Sequence, residues 1–322
     1  MSKSVKKCAA ATAVLSVMSA GLLTGCGGDS GGGSGEAGNT SGQKAVRMDK
    51  KIHDSLPKKI KDAGRMTVVM NGSSLPYWKS TPGKEGQYTG VGAELMQALG
   101  QVMGVKVNHV AIPDISAAVA SVSSKRYAFA FAPYGDSVGG ENERPGVEFV
   151  DVVQEVVPFL VEKGNPKKVS SLDGLCGNKL AAQVNGGAYE RAVEQAKKCK
   201  SKGKPKLDIV GVTGVPNGIL AVRSKRADAF FSSGAPLFHA EAQSGGRLEV
   251  VGEEAANGFD GLFQGAVLPK DSELTQPVLK GFEKLFADGT YERIMKKAGL
   301  EREILDKPGV NLYSKWLAKH EG

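Results

Sequence analysis

The sequence predicts an α/β protein with two lobes, preceded by an export leader and a flexible tether. Apolar segments with strand period alternate with segments of helix period in β-α-β-α-β order, which is typical of sheets with helices on their faces. The 277 residues from position 46 onward are too many for one core of the commonest size, and they fit two lobes.

The first 25 residues have the pattern of a lipoprotein leader. Three lysines within the first seven residues precede an uncharged run, residues 8–23, that is too short to span a bilayer comfortably. The run ends in Leu-Thr-Gly-Cys at residues 23–26, which matches the lipobox, whose cysteine receives a diacylglyceryl group before cleavage. We therefore expect a signal peptide over 1–25 and a membrane anchor on Cys26, with acyl chains such as palmitate. The alternative is an ordinary secretory peptide or an uncleaved anchor helix.

A tether follows the lipobox over residues 26–45. Residues 27–45 hold eight glycines and three serines with almost no apolar side chain, so this stretch cannot bury enough surface to fold.

Cys176 and Cys199 are the two cysteines that remain once the leader and the lipidated position are set aside. Two thiols in an oxidising compartment predict one disulfide. A metal pair and a catalytic thiol are the alternatives, but none of the four histidines lies near either cysteine in the sequence. The sequence carries no metal or cofactor motif, so we expect neither.

The charge balance argues against a nucleic-acid partner. Loss of the three leader lysines lowers the formal net charge from +8 to +5. The lysine clusters at 58–61, 167–168, 197–206 and 296–297 contain no interleaved aromatic residues, which favours a solvated face near an anionic cell envelope.

Periodicity and end signals place the elements of the folded part. Gly104 should end the first long helix, Asp271 should cap a helix beginning near 272, Gly289 should end that helix, and Thr290 should cap a last one, before a polar tail. The expected strands are 66–70, 105–110, 127–132, 179–183, 207–212, 227–231, 248–251 and 264–268, and the expected helices are 92–103, 114–124, 188–198, 216–224, 272–288 and 290–297.

Several short motifs, in this order and spacing, resemble the amino-acid-type solute-binding proteins of ABC importers, the bacterial extracellular solute-binding protein family 3. They are Ala63 to Val69, Pro76-Tyr77, Gly90 to Leu95, Glu143-Arg144, Phe149 to Asp151, Ser171 to Gly177, Lys225 to Ala229, Val267 to Asp271 and Asp288 to Tyr291. A branch of that family is similar in carrying two cysteines that flank the first helix of the second lobe.

The resemblance implies a type II periplasmic-binding-protein fold, in which each lobe is a mainly parallel sheet flanked by helices and two crossover strands join the lobes. The first lobe would comprise residues 46–160 plus 263–322, and the second would comprise 161–262. A small ligand with a carboxylate would lie in the cleft, and the partner would be a membrane permease. We expect a monomer that is not an enzyme.

The resemblance also implies a set of ligand-binding residues. Arg144 would pair the ligand carboxylate through its guanidinium fork, and Tyr77 and Trp78 would lie against the ligand side chain. The family usually has a threonine three residues before this arginine, but Glu141 stands there, so we expect Ser137 to take over its role in a longer loop. Gly186 and Gly187 would present free N–H groups to an anion at a helix start. The alternatives are a surface ion pair for Arg144, core packing for the aromatics and a plain turn for the glycines.

Ser233 stands five residues after Asp228, where the family usually has an aspartate for the ligand ammonium group. If an amine is bound, Asp260, Glu141 or Asp136 would have to supply the counter-charge, because an unpaired buried ammonium is strongly penalised.

Two other functions remain open from the sequence. One is a lipoprotein that presents its solute to a membrane receptor for sensing. The other is a dehydratase or lyase with the same fold, for which Glu94, Glu141, Asp136 and Asp260 are the candidate acids.

The lipobox makes a direct prediction. Cys26→Ala should abolish incorporation of a radioactive fatty acid, because the thiol is the only acceptor that the motif provides. Equal label in the wild type and the variant, or no label in either, would contradict it.

Overall fold

The computed structural model describes residues 46–72, 74–112, 114–136, 146–184 and 186–320, and residues 46–320 belong to one compact unit. The predicted signal peptide, Cys26 and the tether lie outside the described residues. So do Ser137, Glu141 and Arg144.

The described chain forms an alternating succession of strands and helices. The strands are β1 (Arg65–Met70), β2 (Lys79–Ser80), β3 (Tyr88–Thr89), β4 (Lys106–Ala111), β5 (Phe129–Gly135), β6 (Val147–Gln154), β7 (Phe159–Glu162), β8 (Lys179–Gln183), β9 (Asp208–Val212), β10 (Ala229–Phe231), β11 (Leu248–Val251), β12 (Phe263–Pro269) and β13 (Ile304–Val310). The α-helices are α1 (Lys50–Asp54), α2 (Lys58–Ala63), α3 (Val91–Met103), α4 (Ile115–Ser123), α5 (Gly187–Ser201), α6 (Val215–Arg223), α7 (Gly234–Gln243), α8 (Thr275–Ala287), α9 (Thr290–Lys297) and α10 (Leu312–His320), with 3-10 turns at Leu172–Leu175 and Glu301–Glu303.

These strands build two large sheets. One has six strands in the order β13-β6-β12-β5-β1-β4, and the other has five in the order β11-β7-β10-β8-β9. The expectation of mainly parallel sheets is wrong, because both are mixed. In the first sheet β4 and β5 run parallel to β1, whereas β12 is antiparallel to β5 and β6, and β13 is antiparallel to β6. In the second, β10 and β9 run parallel to β8, whereas β7 is antiparallel to β10 and β11.

The five-stranded sheet is an insertion between two strands of the six-stranded sheet. The chain leaves β6, builds β7 through β11, and returns as β12 into a central position beside β6. The two connecting segments, residues 155–158 and 252–262, meet where the Glu155 N–H donates to the carbonyl of Leu262 at 3.0 Å. The assignment of residues 46–160 plus 263–322 to one lobe and 161–262 to the other remains a prediction.

A hydrophobic core beneath α3 and α8 holds the six-stranded sheet to its helices. Leu95, Leu99 and Val102 recur at helical spacing on α3 and are fully buried, and Phe282 of α8 joins them. Each such side chain contributes about 1.5–3 kcal/mol by leaving water. Gly104 ends α3 with a left-handed φ of 67°, as predicted.

The five-stranded sheet has its own core, which includes the disulfide. Phe159 and Phe231 stack with ring centroids 4.7 Å apart, and Cys199 of α5 lies fully buried in the same cluster. Cys176 and Cys199 are bonded, so the predicted disulfide is confirmed. The bridge ties α5 to the 3-10 turn at Leu172–Leu175, which immediately precedes Cys176.

Several elements depart from the sequence expectations. The helix near 272 begins only at Thr275 with Leu274 as its N-cap, so Asp271 is not the cap; Asp271 adopts a left-handed φ of 58° in the preceding turn. Gly289, not Thr290, is the N-cap of α9. The polar tail folds into β13 and α10.

Two buried aspartates bind the backbone of the C-terminal tail. The N–H groups of Leu312 and Tyr313, at the start of α10, donate to the carboxylates of Asp151 and Asp136 at 2.9 and 3.0 Å. Both aspartates are buried. These bonds fix the end of the tail against the six-stranded sheet.

The disulfide should stabilise the protein mainly by restricting the unfolded chain. Its cysteines are 23 positions apart, so the double variant Cys176→Ala/Cys199→Ala should lose about 3 kcal/mol of unfolding free energy. Urea denaturation of the oxidised wild type, the reduced wild type and the variant tests this. A reduced wild type as stable as the oxidised protein would contradict it.

Candidate ligand-binding site

A cavity of about 780 Å³ lies between the two sheets. Its walls come from both sheets and from one of the connecting segments. The lining residues are Asn71, Ser74, Leu75, Tyr77, Lys79, Ala132, Glu155, Val215, Pro216, Ile219, Arg223, Ser233, Ala235, Pro236, His239, Ala240, Gln243, Ser244, Arg247, Leu248, Gln264 and Glu303.

The positions of these residues follow from the strand directions. Asn71 to Lys79 follow the carboxyl end of β1, Val215 begins α6 after β9, and Ser233 joins the carboxyl end of β10 to α7. In α/β sheets ligands bind outside the carboxyl ends of strands, where helix N-termini also converge. The cavity therefore lies where this architecture favours ligand binding.

Two glutamates occupy the inner part of the cavity, and neighbouring polar side chains hold them. The amide of Gln264 donates to Glu155 at 2.5 Å, and the Ser233 side chain also hydrogen-bonds to Glu155. The Tyr77 hydroxyl donates to Glu303 Oε2 at a long 3.4 Å. Glu303 is only 1% exposed, and its Oε1 makes no hydrogen bond of normal geometry with a described residue.

Burial makes both carboxyl groups harder to ionise. It raises the pKa of Glu303 well above its usual value, and the nearby charge of Glu155 raises it further, while the Ala235 N–H and the Tyr77 hydroxyl lower it by smaller amounts. Burial also raises the pKa of Glu155, partly offset by Ser233 and Gln264. The Tyr77 hydroxyl likewise has a raised pKa, first through burial and then through the Glu303 charge.

Basic side chains line the cavity at its exposed side. Lys79, Arg223 and Arg247 are exposed, and His239 is half-buried. Burial lowers the pKa of His239, and the charge of Lys79 lowers it further. The cavity thus has an acidic floor, defined by the buried Glu303 and the half-buried Glu155, and an exposed basic rim, defined by Lys79, Arg223 and Arg247. Such an arrangement favours a ligand that carries both signs of charge.

The structure brings only some of the predicted site residues together. Tyr77 and Ser233 line the cavity. Trp78 is fully buried against Tyr88 and His109 and is not a lining residue. Arg144 and Ser137 lie outside the described residues.

The predicted glycines and Asp260 stand apart from the cavity lining. Gly186 is the N-cap of α5, and its own N–H donates to the carbonyl of Gln183 in a turn. A Cβ at Gly187 would come within 3.2 Å of the Phe259 ring. Asp260 is exposed in the returning connection.

The acids considered for an enzyme are not assembled there either. Glu94 pairs with Lys297 at 2.9 Å on the surface, and Asp136 accepts a hydrogen bond from the backbone N–H of Tyr313 in α10. Glu141 lies outside the described residues.

Sequence reasoning missed Glu155, Gln264 and Glu303. Glu155 had a detectable signal, because it is the one charged residue between Val152 and Val161, a stretch that is apolar apart from Glu155 and Gln154. Glu303 had none, since it stands among the charged residues of the tail. Its burial depends on packing between the two sheets.

A family model described as bacterial extracellular solute-binding proteins, family 3, matches residues 66–301. The chain belongs to this family. Among curated relatives of this solute-binding protein, the arginine-binding protein ArgT of Corynebacterium glutamicum is 26% identical over 282 residues, covering 86% of this chain and 88% of the relative.

Three solved structures are similar to this chain in fold. The L-cystine solute receptor of Neisseria gonorrhoeae, in an unliganded open conformation, has a TM-score of 0.61 at 17% identity and covers 77% of this chain and 98% of its own. A Streptococcus pneumoniae amino acid ABC transporter substrate-binding protein bound to L-arginine has a TM-score of 0.56 at 20% identity, covering 75% and 96%. An ancestral amino-acid-binding protein, described as a precursor of cyclohexadienyl dehydratase, has a TM-score of 0.55 at 22% identity, covering 75% and 97%. The predicted two-lobed type II periplasmic-binding-protein fold is confirmed.

Two features are absent from the described residues. None of their helices combines the length and apolar content that crossing a bilayer requires. No group of three or more of their His, Cys, Asp and Glu side chains is arranged to hold a metal ion.

The raised pKa of Glu303 predicts how stability depends on pH. The folded state binds the Glu303 proton more tightly than the unfolded state does. The stability that the protonated carboxyl group contributes is therefore fully present below the unfolded pKa and is lost as pH rises through the folded pKa. Glu303→Gln should therefore stabilise the ligand-free protein by on the order of 1 kcal/mol at about pH 8 and change little at about pH 5.

Urea denaturation at both pH values measures the effect. Glu301→Gln is the matched control, because Glu301 is exposed in the same 3-10 turn. A Glu303→Gln variant that is destabilised equally at both pH values would contradict the assignment.

Proposed function

We propose that this chain is an extracytoplasmic lipoprotein that binds a small carboxylate-bearing solute, an amino acid or a related compound, and delivers it to an ABC importer. The observation that carries the proposal is the cavity between the two sheets of a family 3 solute-binding protein. Its volume of about 780 Å³ lies within the range of roughly 300–1,000 Å³ that is usual for small-molecule sites.

The charges of the cavity support an amino-acid-like solute. A carboxylate directed at the basic rim and a cation directed at the acidic floor would satisfy both ends, while Leu75, Val215 and Ile219 supply apolar contacts along the wall. The curated relative is named an arginine-binding protein, which makes basic amino acids the first candidates to test.

Arg144 remains our proposed carboxylate anchor. Its loop connects Gly135, the last residue of β5, to Val147, the first of β6. Ala132 of β5 lines the cavity, so the loop begins close to it. Ser137, Tyr77, Trp78, Gly186, Gly187, Ser233 and Asp260 complete the proposed set, of which Tyr77 and Ser233 have the strongest support because they line the cavity.

The lipid on Cys26 and the glycine-rich tether would hold a monomer at the outer face of the cell membrane, within reach of a permease.

Deleting the gene should abolish uptake of the radiolabelled solute by cells. Unimpaired uptake combined with a lost transcriptional response would favour sensing, and chemical turnover of the bound solute would favour an enzyme.

Binding itself is tested by calorimetry with the twenty amino acids and a set of small carboxylic acids. Arg144→Ala should keep the fold and weaken binding of the tightest solute by about 2–4 kcal/mol, the scale of losing a desolvated charged partner.

Arg293→Ala on the exposed face of α9 is the control. Unchanged affinity in Arg144→Ala would show that another residue binds the carboxylate. Failure of every solute to bind would overturn the proposed function.

A further inference from the structure

We infer that Glu155 and Glu303 form a subsite at the acidic floor of the cavity that takes the cationic group, guanidinium or ammonium, of the bound solute. This inference rests on the proposed function and specifies the class of solute. Glu303 lies beyond residues 66–301, the part that matches the family model, so the C-terminal tail of this chain completes the subsite.

The first support is an unsatisfied buried acceptor. Glu303 is 1% exposed and lines the cavity, yet its Oε1 makes no hydrogen bond of normal geometry within the described chain. The Ala235 N–H and the Tyr77 hydroxyl are neutral donors near this carboxylate, whereas a guanidinium or ammonium group would give the buried charge an ionic partner and Oε1 a donor.

The second support is that the floor is held in place. Gln264 and Ser233 hydrogen-bond to Glu155, and Tyr77 donates to Glu303, so the pair is fixed by elements of both sheets. At the start of α7, even a Cβ on Gly234 would come within 2.6 Å of Glu303 Oε1, so the backbone leaves this carboxylate little room to move. A fixed pair of acids loses little freedom when it binds a ligand.

The third support is the absence of an internal counter-ion. Among the described residues, no lysine or arginine forms an ion pair with Glu155 or Glu303. Arg302, which adjoins Glu303 in the chain, pairs with Glu241 and Glu253 at 3.5 Å instead. Tyr77 and Tyr291 interact electrostatically with Glu303. The other titratable groups of the cavity lining are Lys79, Arg223, His239 and Arg247.

Proton release should accompany binding. Burial favours the protonated form of both carboxyl groups, and the charge of Glu155 favours it further at Glu303. A bound cation favours the ionised form, so the O–H bond of a protonated glutamate breaks and its proton passes to the buffer while the carboxylate pairs with the cation. Affinity for a cationic solute should therefore rise with pH through the raised pKa values, and affinity for a neutral analogue should change less.

Matched solutes test the subsite by calorimetry at mildly acidic and mildly basic pH, in two buffers that differ in ionisation enthalpy. L-arginine is compared with L-citrulline, which replaces the guanidinium by a neutral urea of similar shape, and L-lysine with L-norleucine. N-acetyl-L-arginine, which lacks the free α-amino group, should also bind more weakly to the floor variants than to the wild type, because the side-chain cation is the expected occupant. Glu155→Gln and Glu303→Gln are the variants, and Glu301→Gln is the exposed control.

We expect the wild type and Glu301→Gln to prefer the cationic member of at least one pair, with proton release. Each floor variant should lose about ten- to hundredfold in affinity for that member and much less for its neutral partner. Floor variants that bind every solute like the wild type, or that weaken both members equally, would overturn the subsite. Tight binding of a solute without any preference for a cation would overturn it and leave the proposed function standing, whereas binding of none in the full panel would overturn both.

Discussion

The architecture depends on the return of β12 into the middle of the six-stranded sheet. β12 lies between β5 and β6 and is antiparallel to both, so the chain that builds the second sheet must leave and re-enter beside the same strand. Gly265 makes this close pairing possible, because a Cβ there would overlap the backbone carbonyl of Val150. The two connecting segments are consequently adjacent, and the cavity forms where they join the sheets.

This constraint also explains the distribution of charge in the cavity. Glu155 belongs to the outgoing connection, Gln264 to the start of strand β12, and Glu303 to the residues just before β13, which pairs with β6. All three lie close to the junction between the sheets, where Glu303 is buried and Glu155 and Gln264 are half-buried. Lys79, Arg223 and Arg247 lie on peripheral elements and remain exposed. A solute with charges of both signs would be oriented by this difference in depth.

The sequence predicted the fold more completely than the site. Helix periods and end signals located α3 and Gly104 correctly, because they are local properties of the chain. Strand direction was predicted less well, since β6 and β7 follow each other without a helix and periodicity does not encode pairing. The acidic floor was missed because its burial comes from residues far apart in sequence, such as Tyr77 and Glu303. Tyr77 was identified from a motif, and its partner had no motif.

The central claim is that the cavity between the two sheets holds the solute. A crystal structure of the protein in complex with the tightest-binding solute from the calorimetric panel tests it most directly. We expect a solute enclosed between Tyr77 and Ser233, with its carboxylate toward the basic rim and its cationic group within hydrogen-bonding distance of Glu155 or Glu303. A solute bound outside this cavity, or inside it with the opposite orientation, would contradict this proposal.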